Sequence, residues 1–203
     1  MATKTENLQL WKWAKTDPVD VEQINDNFGK VDTYLGKNGA LEKVAEFTVQ
    51  SAAAEVDFNL SSLNLSSYSA IQLYFDLKFV YQEGPINPEI QINSGTPVYV
   101  ASADNSYSQE RTETSISILP GNQRPEYPAA ARLELYQCGD KTAGMIQGIG
   151  YDTNQDRMYC LIRSLLLSEI SLTELNKVTL ALSGTHTNQY ATGSALQIYG
   201  VKK

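Results

Sequence analysis

From Val44 onward the apolar residues recur at every second position, and this period of two commits most of the chain to β-structure. The run SAIQLYFDLKFVYQ shows it best. Ile71, Leu73, Phe75, Leu77, Phe79 and Tyr81 fall on one face, with Gln72, Tyr74, Asp76, Lys78 and Val80 on the other. A strand written this way buries one face and wets the other. The same alternation returns in AEFTVQ, AEVDFNL (Val56, Phe58 and Leu60 inward), EIQIN, PVYVA, ETSISIL, ARLELYQ, GMIQGIGY, MYCLIRSLL, KVTLALS and ALQIYGV. About eleven short strands separated by turn segments such as NSG, PGNQRPEYP and DTNQDR are the pattern of an antiparallel β-sandwich. The stretch SLLLSEISLTELNK predicts a helical turn or a long crossing loop before the penultimate strand. No internal repeat or low-complexity segment interrupts the series.

Ahead of the strands stands one helical segment, DPVDVEQINDNFGKVDTYLG. Asp17 suits an N-cap, Pro18 the first helical position, Glu22 the positive helix end and Gly36 the position just past the last turn. Val21, Ile24, Phe28, Val31 and Leu35 recur at steps of three and four, a narrow apolar stripe on a polar helix of about 27 Å. Read as heptads, Ile24 and Val31 take d, where β-branched residues favour three or four strands over a parallel dimer. The stripe is therefore an oligomerisation seam, a trimer by preference, or it docks on the chain's own globular part. Gly29 weakens the helix by up to ~1 kcal/mol relative to Ala, so packing from outside must support it. The Asn-Gly pair in KNGALEK marks the boundary between residues 1–40, an arm and helix, and residues 41–203, the β-domain. Leu8, Leu10, Trp11 and Trp13 read as an arm packing its indoles on the helix or on a neighbouring subunit rather than as a sugar platform.

The opening LQLWKWAKTDPVDVEQINDNFGKVDTYLG resembles the N-terminal segment of tail and baseplate-associated structural proteins of phages and prophages of Gram-positive bacteria. Those proteins begin with a Leu-rich, Lys-Trp-like stretch, an Asp-Pro pair, and a helix written Ile-Asn-Asp-Asn-Phe followed by Lys and an Ile/Val-Asp pair. Here the matching residues are Leu10, Lys12, Trp13, Asp17, Pro18, Ile24, Asn25, Asp26, Asn27, Phe28, Lys30, Val31 and Asp32. The closing SALQIYGVKK is similar to the last strand of the β-sandwich domains of such proteins. The resemblance implies a virion part, trimeric, contributing to tail architecture or host-surface attachment, with other tail or baseplate proteins as partners. With the strand count, it also favours a jelly-roll topology.

A net charge of −7 and a pI near 4.8 argue against nucleic-acid binding, which needs clustered Lys and Arg to neutralise phosphates. No signal peptide and no membrane span are written in the sequence, so the chain is expected to be made in the cytosol. Cys138 and Cys160 stand in strand-like runs and are expected to be buried free thiols. No cofactor is implied. His186, the sole histidine, has no nucleophile near it in THTNQYATG, which argues against a catalytic triad. Asp152, Asn154 and Asp156 imitate the start of a calcium loop, but Arg157 and Arg163 replace its Gly and Glu, which leaves a hairpin turn. No catalytic site can be assembled, so an enzyme is not expected. Tyrosine is the unusual component, twelve against five Phe. Its flat apolar ring and polar tip suit glycan or protein surfaces, and Tyr74, Tyr99 and Tyr107 are the candidate ligand-binding residues, against the plainer reading that they cap core edges. Two functions stay open: a trimeric tail protein whose β-domain touches a host glycan, and a free-standing carbohydrate-binding or cell-surface module.

Overall fold

A computed structural model describes residues 3–4, 10–12, 21–37, 41–82, 84–102, 111–119, 123–127, 129–152, 156–167, 169–183 and 187–203. Strands β1 (Thr3–Lys4) and β2 (Trp11–Lys12) pair antiparallel ahead of helix α1 (Val21–Lys37). The helix passes through Gly36 instead of stopping before it. A glycine lowers helix propensity but terminates a helix only where it takes the left-handed conformation. The expected capping residues Asp17 and Pro18 lie outside the described residues, as does Trp13.

The β-domain is a sandwich of two antiparallel sheets. The larger, in spatial order, contains β3 (Leu41–Thr48), β16 (Ala195–Lys202), β5 (Tyr68–Leu77), β11 (Ala129–Cys138), β12 (Lys141–Asp152), β13 (Arg157–Leu167), β8 (Val98–Ser102) and β9 (Arg111–Glu113). The smaller contains β10 (Ile116–Ser117), β7 (Asn87–Ile92), β14 (Lys177–Ser183) and β4 (Glu55–Asn59). A short ribbon of β6 (Phe79–Val80) with β15 (Gln189–Tyr190) closes one end. Along the chain, β3, β4, β5 and β7 alternate between the large and small sheets, β10 stays in the small sheet, and β11, β14 and β16 alternate again. The remaining strands, β8–β9 and β12–β13, leave this path in two excursions and extend the large sheet beyond β11.

The two inner faces form one apolar cluster. Leu73, Phe75, Leu133, Leu135, Leu196 and Ile198 come from the large sheet, and Phe58, Ile90, Ile92, Val178 and Leu180 from the small one. The expected inward face of β5 is therefore correct at Leu73, Phe75 and Leu77. Its continuation fails at Tyr81, which is exposed. The strand breaks at Lys78, where the Ser194 hydroxyl accepts from the Lys78 amide and donates to its carbonyl, each at 3.0 Å. Phe79 still turns inward, onto the buried Tyr190 at 5.7 Å between ring centroids.

ETSISIL splits into β9 and β10, one in each sheet. SLLLSEISLTELNK supplies the end of β13 and a 3-10 turn at Leu172–Glu174, whose carboxylate accepts from the Ser171 amide at 2.8 Å. DTNQDR closes the β12–β13 hairpin, with Asp152 opposite Arg157 and Asp156 at φ 48°. Asn154 lies outside the described residues. The cysteines are a correction: both are exposed. Cys138 ends β11 at a tight turn. Cys160 sits on the outward phase of β13, which the small sheet does not cover.

Close packing on the inner side of β12 requires glycine. A Cβ on Gly148 would stand 1.9 Å from the Ile118 carbonyl oxygen, and backbone has little freedom to yield. Gly148→Ala is expected to destabilise by about 1–3 kcal/mol or more. A urea titration measures this, and an unchanged midpoint would place the Ile118 segment away from β12.

Candidate functional site

Six strands of the large sheet present a side-chain bed on the face turned away from the core. Register places Glu46, Gln197, Tyr74, Arg132, Gln147 and Ile162 side by side on β3, β16, β5, β11, β12 and β13. The adjoining row reads Thr48, Ala195, Asp76, Ala130, Ile149 and Cys160. All of these except Thr48 line a groove of about 770 Å³. Six strands at roughly 4.8 Å per step give it a length near 24 Å across the sheet. Asp76 stands between Ala195 and Ala130, whose methyl groups form a low floor on either side.

Hydrogen bonds fix most of the bed. Glu134, 8 % exposed, forms an ion pair with Arg132 Nη2 at 3.1 Å and accepts from Gln72 Nε2 at 3.1 Å and from the Tyr136 hydroxyl at 2.7 Å. A carboxylate so far removed from water needs such partners. The Tyr136 hydroxyl, bound to Glu134 and partly desolvated, has its pKa raised. Arg132 Nη2 also donates to Gln147 Oε1 at 2.9 Å. Tyr74 donates to Gln72 Oε1 at 2.7 Å, which joins its ring to the Glu134 network. On the other side Lys43 Nζ meets Glu46 at 2.6 Å, Gln197 Nε2 donates to Glu46 at 2.9 Å, and the Tyr199 hydroxyl donates to Gln197 at 3.3 Å. Lys43, and after it Gln197, hold the Glu46 carboxyl below its ordinary pKa. Tyr74 and Tyr199 meet edge to face at 5.6 Å between centroids and 89°, so the two networks touch through an aromatic pair.

The groove thus offers a half-buried ring at Tyr74, amides at Gln147 and Gln197, acceptors at Asp76 and Glu46, and a guanidinium at Arg132. Exposed Ile149 and Ile162 form an apolar flank. Of the three tyrosines singled out in the sequence, the structure places Tyr74 here. Tyr99 lies on β8, three strands away from β11 in the same sheet, and its side chain is outside the description. Tyr107 and His186 lie outside the described residues. Arg132, Gln147, Gln197, Asp76 and Glu46 were not singled out. Their outward phase is legible in AEFTVQ, SAIQLYFDLKFVYQ, ARLELYQ, GMIQGIGY and ALQIYGV, but their convergence depends on register.

The seam residues are only partly described. Phe28 is 69 % exposed, Ile24 and Val31 are half-buried, and the side chains of Val21 and Leu35 are outside the description. Among the described residues the sandwich core contains none from α1. No protein-family model matches the chain, and no curated protein matches it in sequence.

Proposed function

We propose that the chain is a tail structural protein of a phage or prophage, a homotrimer joined along α1, whose β-domain binds host-surface glycan in the outer groove. The tail assignment rests on the N-terminal resemblance. The strand path supports it at the level of architecture. The eight strands on that path run β3-β16-β5-β11 in the large sheet and β4-β14-β7-β10 in the small one, an order that supports reading the sandwich as a jelly roll, an architecture common to viral and lectin domains.

The observation that carries the binding role is the groove itself, with its ring and polar groups fixed by side-chain hydrogen bonds. A preorganised polar bed beside an aromatic ring suits sugar hydroxyls and the apolar faces of pyranose rings. Glu46, whose carboxyl is held below its ordinary pKa, is unsuited to the general-acid role of a glycosidase.

The groove alone would equally serve a free-standing carbohydrate-binding module. Phe28, exposed on the helical stripe, favours the assembled tail protein, because a helical seam would cover its ring. Light scattering is expected to give three times the chain mass of 22.4 kDa. A monomer at micromolar concentration would remove the trimer and leave the free-standing module.

A further inference from the structure

We propose that the groove selects uncharged, hydroxyl-rich pyranoside chains and rejects phosphate-bearing polymers, with Asp76 as the discriminating residue. This inference rests on the glycan reading above and names the class of glycan.

The charges in and beside the groove are not balanced. Lys43 is spent on Glu46 at 2.6 Å, and Arg132 on Glu134 at 3.1 Å. Asp76 has no ion pair among the described residues and is exposed. Lys78, the next outward residue after Asp76 on the same run, is roughly 7 Å away at 3.3 Å per residue. Its Nζ lies towards the 193 turn, 3.4 Å from where a Cβ on Gly193 would stand. One negative charge is left uncompensated at the groove floor, on a chain of net charge −7.

Geometry makes that charge effective. Ala195 and Ala130 flank Asp76 in register, so no longer side chain shields its carboxylate from a ligand lying across the strands. An ionised carboxylate only accepts hydrogen bonds, and its two oxygens can serve two neighbouring hydroxyls. A pyranoside supplies such donors. A phosphodiester supplies further acceptors and a like charge, which is repelled. Arg132 would be the natural phosphate ligand, but its Nη2 already meets Glu134 and Gln147. Tyr74, one row away, offers a ring against which a sugar face can lie.

The test uses the full-length protein and two fractions from Gram-positive cell walls, neutral polysaccharide and poly(glycerol phosphate) teichoic acid, compared by titration. The neutral fraction is expected to bind at least about tenfold more tightly, with little dependence on salt. Asp76→Lys, shown by circular dichroism to keep the β-fold, is expected to narrow or reverse that ratio. Asp76→Asn should weaken neutral binding while leaving the polyanion rejected less strongly. Teichoic acid binding as tightly as the neutral fraction, or a ratio unchanged in Asp76→Lys, overturns the selectivity while the glycan reading stands. Failure of the unaltered protein to bind either fraction overturns the glycan reading and the selectivity together.

Discussion

Phe75→Ala is expected to cost the sandwich about 3–5 kcal/mol, a large part of the roughly 5–15 kcal/mol by which a domain is normally stable. Phe75 is 2 % exposed in the middle of β5. Leu196 stands opposite it on one neighbouring strand and Ala131 on the other. Removing the ring leaves a void between two sheets whose backbones are tied on both sides, so the walls can close only in part. Urea unfolding followed by circular dichroism should show a lower midpoint with an unchanged slope. A loss below about 1 kcal/mol would mean that the sheets do not press together at this point. Tyr74, the next residue along the strand, points to the other face. Its replacement by Ala should leave the midpoint nearly unmoved and weaken glycan binding, which separates the structural face from the functional one.

Strand phase was legible in the sequence wherever both sheets cover the strand. The alternation in SAIQLYFDLKFVYQ placed Leu73, Phe75 and Leu77 correctly because small-sheet strands lie over that part of β5. The same reasoning misplaced Cys160. MYCLIRSLL is apolar on both phases, but within it only Leu165 is buried, while Met158, Tyr159, Ile162 and Leu166 are exposed. The long β12–β13 hairpin outruns the short strands of the small sheet, and nothing local in the sequence states how far the cover extends.

The groove was legible only through Tyr74. Arg132 and Gln147 come together because a tight turn after Cys138 sets the β11–β12 register, and Gln197 reaches Tyr74 because the C-terminal strand inserts between β3 and β5. These are long-range pairings, fixed by loop closure and core packing rather than by local pattern. Asp76 was visible as a polar position. Its distinctive setting, between two alanines contributed from more than fifty residues away on either side, was not.

Ile24→Asp is expected to convert the proposed trimer to a monomer and to lower apparent affinity for host polysaccharide by on the order of a hundredfold, while the β-domain stays folded. Ile24 occupies a d position in the stripe with Phe28 and Val31, so trimerisation would bring three carboxylates into one seam with no counter-charge, which is more than apolar packing there can offset. A single shallow sugar site has an affinity near millimolar, about −4 kcal/mol. Three such sites held by the proposed helical seam would engage a repeating wall polymer together, and the second and third contacts would become intramolecular. Loss of the seam leaves each groove intact but returns binding to the level of one site. Light scattering, circular dichroism and polysaccharide titration on the same variant separate the possibilities. Loss of β-structure would place α1 in the sandwich core. A surviving trimer would move the seam elsewhere, and a monomer of undiminished affinity would remove multivalency from the binding.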